Sequence, residues 1–99
     1  MPQLCHVVLL EIRADAPAAD VDAAFAAVRA LREQVDGMLD LTMGAHAGPH
    51  GIGGFTHAVL MRFRDRGALD RYIVHPAHQA VDARLAPLIA TAAVADIDV

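Results

Sequence analysis

Two segments of this chain are apolar on both of their alternating faces, and that limits the fold more than any other feature. Residues 4–13 (LCHVVLLEIR) and 55–64 (FTHAVLMRFR) contain no Gly or Pro and hold Val, Ile and Phe, the composition of strands. In the first, Leu4, His6, Val8, Leu10 and Ile12 share one face, while Cys5, Val7, Leu9 and Glu11 share the other. In the second, Phe55, His57, Val59, Met61 and Phe63 lie opposite Thr56, Ala58, Leu60 and Arg62. A strand that is apolar on both sides has to be covered on both sides.

The remaining segments say what is available to cover them. Asp15-Ala16-Pro17 ends the first strand, and Asp20 and Asp22 place negative charge near the positive end of a following helix. Val21, Ala24, Phe25, Val28, Leu31 and Val35 then follow helical spacing, and Asp36-Gly37 supplies the stop. Leu39, Leu41 and Met43 alternate with polar residues as a second strand. Residues 44–54 (GAHAGPHGIGG) feed a strand rather than a helix, so they read as a mobile connector and not as a phosphate cradle. After the strand at 55–64, Asp65 is placed to cap a short helix over 67–73 with Leu69 and Tyr72 on one side. Pro76 opens a last helix, whose stripe is His78, Val81, Leu85, Leu88 and Ile89, with Pro87 set to kink or end it. Residues 94–99 (VADIDV) close the chain as a fourth strand.

The order β-α-β-β-α-β is the ferredoxin-like α+β plan, an antiparallel sheet with helices on one side. The helices cover one face, and no sequence remains to cover the other. A homodimer in which two sheets face each other follows. Composition agrees, because 56% of the 99 residues are hydrophobic, a high share for a small monomer. The chain is read as a single domain, residues 1–99. A net charge of −4 leaves no footprint for nucleic acid or an anionic membrane. No apolar run approaches the ~20 residues that span a bilayer, and no signal-peptide pattern opens the chain. One cysteine excludes an intrachain disulfide and suits a reducing compartment, so a cytoplasmic location is expected.

Polar chemistry concentrates in the layer between sheet and helices. The two-residue period puts His6 with Val8 and His57 with Val59 and Met61, all towards the helices if the valines are. His78 heads the apolar stripe of the last helix, Tyr72 lies inward on the short helix before it, and Phe25 and Val28 face the same layer. Three imidazoles and a phenol aimed at one layer describe either a polar-lined pocket or a set of structural histidines. Imidazole near its ordinary pKa serves as base and then acid, and a phenol donates to a carbonyl oxygen as charge develops. A metal at His75 and His78, completed by His6 or His57, is the rival arrangement; no Cys, Asp or Glu is placed with them by spacing, and His75 suits the helix end, so no metal is expected. His46 and His50 read as solvated, Cys5 faces away from His6, and Glu11 and Arg62 are expected to pair with each other or across the dimer.

His6-Val-Val-Leu9, Phe55-Thr-His57, Arg62-Phe63, Tyr72-Ile-Val-His-Pro-Ala-His78 and the closing Val-Ala-Asp96 resemble the stress-responsive α/β-barrel domain family (Dabb) along essentially the whole chain. The resemblance implies a ferredoxin-like subunit pairing into a dimeric α/β barrel. That family includes a plant polyketide cyclase that closes its substrate by aldol chemistry without cofactor. By resemblance the acid/base groups fall on Tyr72 and His78, with pocket histidines at His6 and His57. Phe25, Val28, Val59 and Met61 are expected to complete a substrate-binding wall. Where the cyclase carries tunnel aromatics, this chain has Val28 and Met43, so a different substrate is implied. The leading expectation is a cofactor-free pocket for an apolar carbonyl compound with aldol, cyclase or lyase-type chemistry. The alternative is a non-catalytic stress or ligand-binding barrel with structural histidines, and a third reading, oxygenation of quinone-like or haem substrates, rests on architecture alone.

Overall fold

The computed structural model describes residues 2–99. Its elements run β1 (Leu4–Ile12), α1 (Ala18–Gln34), β2 (Met38–Ala45), β3 (His57–Phe63), α2 (Arg66–Ile73), α3 (Pro76–Leu85) and β4 (Ile89–Asp98), with a 3₁₀ turn at Ala86–Leu88 before β4. The sheet order is β2-β3-β1-β4 and every neighbouring pair is antiparallel. β1 and β2 both pair with β3, so they run parallel to each other and need a crossover, which α1 supplies. β3 and β4 flank β1 in the same way, and α2 with α3 makes that crossover. This is the ferredoxin-like arrangement, with both crossovers packed on one face.

Register assigns the faces. Leu4↔Phe63, His6↔Met61, Val8↔Val59 and Leu10↔His57 stand opposite each other on β1 and β3, and opposed residues project to the same side. That side meets Phe25, Val28 and Leu31 of α1, Leu69 and Tyr72 of α2, and Val81 and Leu85 of α3 to form the buried core. The opposite side carries Cys5, Val7 and Leu9 half-buried with Leu60 exposed. Ile97 of β4, opposite Cys5, is 53% exposed there.

Three local expectations change. β3 begins at His57, not Phe55; Thr56 is instead fastened outside the ladder, its amide donating to Leu10 O at 2.8 Å. β4 begins at Ile89 instead of Val94, soon after the last helix, which stops at Leu85 as Pro87 led one to expect. Pro87 explains the stop, because it has no N–H to donate and its ring crowds the carbonyl four residues back. The strand is then set by its partner: Ile89 pairs with Ile12, and Arg13 N donates to Leu88 O at 2.9 Å. Glu11 and Arg62 do not meet within the chain, since Cys5 stands opposite Arg62 and six residues of strand separate Cys5 from Glu11 by about 20 Å. Arg62 donates to Gln3 Oε1 instead, at 2.8 Å.

Candidate functional site

The site is organised by the junction between α2 and α3. Asp65 caps α2, its carboxylate accepting from Ala68 N at 2.8 Å, and the helix then turns Leu69 and Tyr72 inward three residues apart. Pro76 ends that run, because the residue before a proline avoids the helical region, and His75 is extended at φ −70, ψ 138. The His75 ring accepts from Ala77 N at 3.0 Å and caps α3, with Pro76 in its first turn. His75 therefore serves the helix end, as its place before the proline suggested.

The same junction aims His78. A helix leaves its last carbonyls without partners, and His78 Nδ1 donates to one of them, Ile73 O, at 3.0 Å. With Nδ1 committed, the other ring nitrogen, Nε2, is left for chemistry, and Asp82 one turn on lies 3.5 Å from it. The Tyr72 ring packs against His78 with centroids 4.5 Å apart. Tyr72 is 3% exposed, and burial pushes its phenol well above the ordinary value, with the Asp82 charge adding to the effect. The phenol is thus held neutral at neutral pH and keeps its O–H. The His6 ring stands 6.1 Å from Tyr72. His6 is 6% exposed, and its Nδ1 lies 2.5 Å from Asp96 Oδ1.

His6, Tyr72, His78 and Asp82 border one cavity of about 320 Å³ between β1, β3 and β4 on one side and the three helices on the other. Its polar wall is His6, Tyr72, His78 and Asp82; Val8, Leu10, Val28, Leu31, Val59, Met61, Val81, Leu85, Ile89 and Ala92 make most of the rest, with Ile73 and Val94. Six of the eight expected site residues therefore share it: Tyr72, His78, His6, Val28, Val59 and Met61.

His57 and Phe25 do not border it. They stack on each other at 4.7 Å, and His57 Nδ1 is 2.8 Å from Thr56 Oγ1. The reason is distance along the strand. His6 stands opposite Met61 and His57 opposite Leu10, so the same face carries the two histidines four residues apart, about 13 Å. Burial lowers the His57 pKa from its ordinary value. His46 and His50 are exposed in the connector. Among the described residues no three His, Cys, Asp or Glu side chains converge as a metal-binding group.

Two groups at the site escaped the sequence reading. Asp82 was legible in principle, since His78 and Asp82 are one helical turn apart and on adjacent turns of one face. Asp96 was not, because its meeting with His6 depends on the β1–β4 register.

The family model for the stress responsive A/B barrel domain matches residues 4–99. Among curated proteins none matches. Among solved structures, the hydroxynitrile lyase of Passiflora edulis is similar at 18% identity, a TM-score of 0.90 and coverage of 99% of this chain and 94% of that one. A dimeric ferredoxin-like protein of unknown function from Jannaschia sp. CCS1 is 25% identical, with a TM-score of 0.85 and coverage of 98% and 99%. SnoaB, a cofactor-independent oxygenase from Streptomyces nogalater, is 14% identical, with a TM-score of 0.76 and coverage of 98% and 92%.

Proposed function

Because this chain belongs to the stress responsive A/B barrel domain family, we propose that it is a single-domain, homodimeric barrel protein whose cavity takes a small apolar carbonyl compound. In the catalytic form of this reading the chemistry is acid/base, of the aldol, cyclase or lyase type, and draws on side chains without a cofactor. The observation that carries it is the convergence of His6, Tyr72, His78 and Asp82 on one otherwise apolar cavity. An apolar pocket with a few polar groups on one wall is the form small-molecule sites take. That this fold hosts a hydroxynitrile lyase and a cofactor-independent oxygenase elsewhere supports catalysis as a class and leaves the substrate open to experiment.

Each residue has a definite task in this reading. His78 Nε2 takes the proton from the carbon beside the carbonyl, and the Ile73 carbonyl keeps Nδ1–H in place. Asp82 stabilises the imidazolium that forms, at 3.5 Å. Tyr72, neutral by burial, donates its O–H to the carbonyl oxygen as it becomes an enolate. Val28, Val59 and Met61 exclude water around the reacting carbon. The apolar majority of the lining favours an uncharged substrate.

The test is deuterium exchange beside the carbonyl of hexanal in D₂O, followed by NMR. Wild-type protein accelerates exchange over buffer, and His78→Ala lowers the protein-dependent rate by about 10²–10⁴-fold, the scale of one positioned acid/base group. Its circular dichroism and dimer mass stay unchanged. Equal rates in the variant would remove His78 from the mechanism. A non-catalytic ligand-binding barrel is the second reading, and His57 favours it in part, because it sits outside the cavity against Phe25 and Thr56. In that case hexanal raises the melting temperature by mass action with no exchange above buffer.

A further inference from the structure

We propose that Asp96 is a positioning residue that makes His6 a second proton-handling group of the cavity. The inference rests on the acid/base reading above and extends it to the strand side of the site. Asp96 stands directly opposite His6 across β1 and β4, so both side chains leave the sheet on the helix side. Asp96 Oδ1 meets His6 Nδ1 at 2.5 Å. The ring is held in that orientation by edge-on contacts to Phe63 at 6.4 Å and 72° and to Tyr72 at 6.1 Å and 70°. A carboxylate only accepts, so the proton of a neutral His6 resides on Nδ1, and Nε2 carries the lone pair.

Where Nε2 opens follows from the packing. Among the described residues it takes part in none of the side-chain hydrogen bonds. Every fully buried side-chain nitrogen or oxygen of the described residues nevertheless has a partner. Nε2 is therefore not sealed in, although His6 is only 6% exposed, and the space that His6 borders is the cavity. A buried imidazole with one nitrogen fixed by a carboxylate and the other open to a pocket is arranged to exchange protons there.

A carbon–carbon bond-forming reaction needs two proton transfers at two atoms. The C–H proton passes to His78 Nε2, and its electron pair becomes the new bond. The π pair of the attacked carbonyl moves to oxygen, which takes a proton from the Nε2–H of a protonated His6. Asp96 holds that imidazolium before transfer and the Nδ1–H tautomer after it. Water then carries the proton from His78 back to His6, so the cycle closes without an external acid. In the cleavage direction the roles exchange.

The experiment reads the tautomer directly, by long-range ¹H–¹⁵N NMR of the whole protein labelled at histidine. In its neutral form, wild-type His6 is expected as the Nδ1–H tautomer. Asp96→Asn and Asp96→Ala are expected to shift a measurable fraction to the Nε2–H form and to lower the protein-dependent rate of hexanal self-addition, the step that protonates the attacked carbonyl, by about 10²-fold, the low end for a positioned acid/base group. Asp96→Glu, which restores a carboxylate, recovers part of both. A wild-type His6 in the Nε2–H form overturns the proposal even if no variant folds, and so does a tautomer unmoved by Asp96→Asn or Asp96→Ala. If the tautomer shifts as expected but wild-type protein exchanges no hexanal, the positioning by Asp96 stands and the acid/base reading of the cavity falls.

Discussion

Tyr72 illustrates how one side chain serves both core and cavity. Its ring packs 5.3 Å from Phe63 and 4.5 Å from His78, while it borders the cavity. Its phenol is pushed above the ordinary value by burial and then by Asp82, so the folded state binds that proton more tightly than the unfolded chain does. The resulting stability is whole below pH ~10, where the unfolded phenol ionises, and is lost as pH rises above it. Urea unfolding between pH 9 and 11.5 is expected to show a loss that Tyr72→Phe removes. His57 has the opposite sign. Its pKa is lowered by burial, so stability is whole above about 6.5 and falls as pH drops below, where the unfolded imidazole takes up a proton first. Substituting His57→Gln should flatten urea midpoints between pH 5 and 7; an unchanged slope would contradict the burial of that ring.

At the scale of elements, the boundaries with a local chemical cause were legible and the others were not. Asp65 before a helical run announced a cap, and the carboxylate does accept from Ala68 N. Asp65→Ala is expected to cost about 1 kcal/mol by denaturant titration, as N-cap deletions do. Gly37 announced the end of α1. It has φ +86, and an added Cβ would lie 2.7 Å from the Cβ of Ala68. Gly37→Ala therefore combines a left-handed backbone with a collision, and its cost should exceed that of the cap deletion in the same titration. The Pro76 hinge was legible too, together with the capping role of His75. The start of β4 was not, because the Ala-rich stretch before Val94 has no strand signature of its own. Only pairing with β1 makes it a strand, an instance of tertiary context overriding local preference.

For the whole molecule, the uncovered sheet face has the largest consequence. Cys5, Val7, Leu9, Leu60 and Ile97 lie on the side away from the helices, where Leu60 and Ile97 are exposed. Structural relatives of the same fold are dimeric. Light scattering at micromolar concentration is expected to give twice the 10.5 kDa chain mass. Leu60→Asp should shift that mass towards the monomer, because pairing would bury an unpartnered charge. A monomeric wild type would sink the expectation.

The sequence alone determined the quantities that repeat along the chain. Two-residue and helical periods settled which faces are apolar, and with the proline and glycine stops they led to the β-α-β-β-α-β order. They also aimed His6, His57, Tyr72 and His78 at one layer. Which of those residues meet was decided only in three dimensions. Strand register places His6 beside Asp96 and sets His57 some four residues along the sheet, beside Phe25. Periodicity reports the direction of a side chain, whereas register and crossover fix its position along the sheet, and a reaction site depends on both.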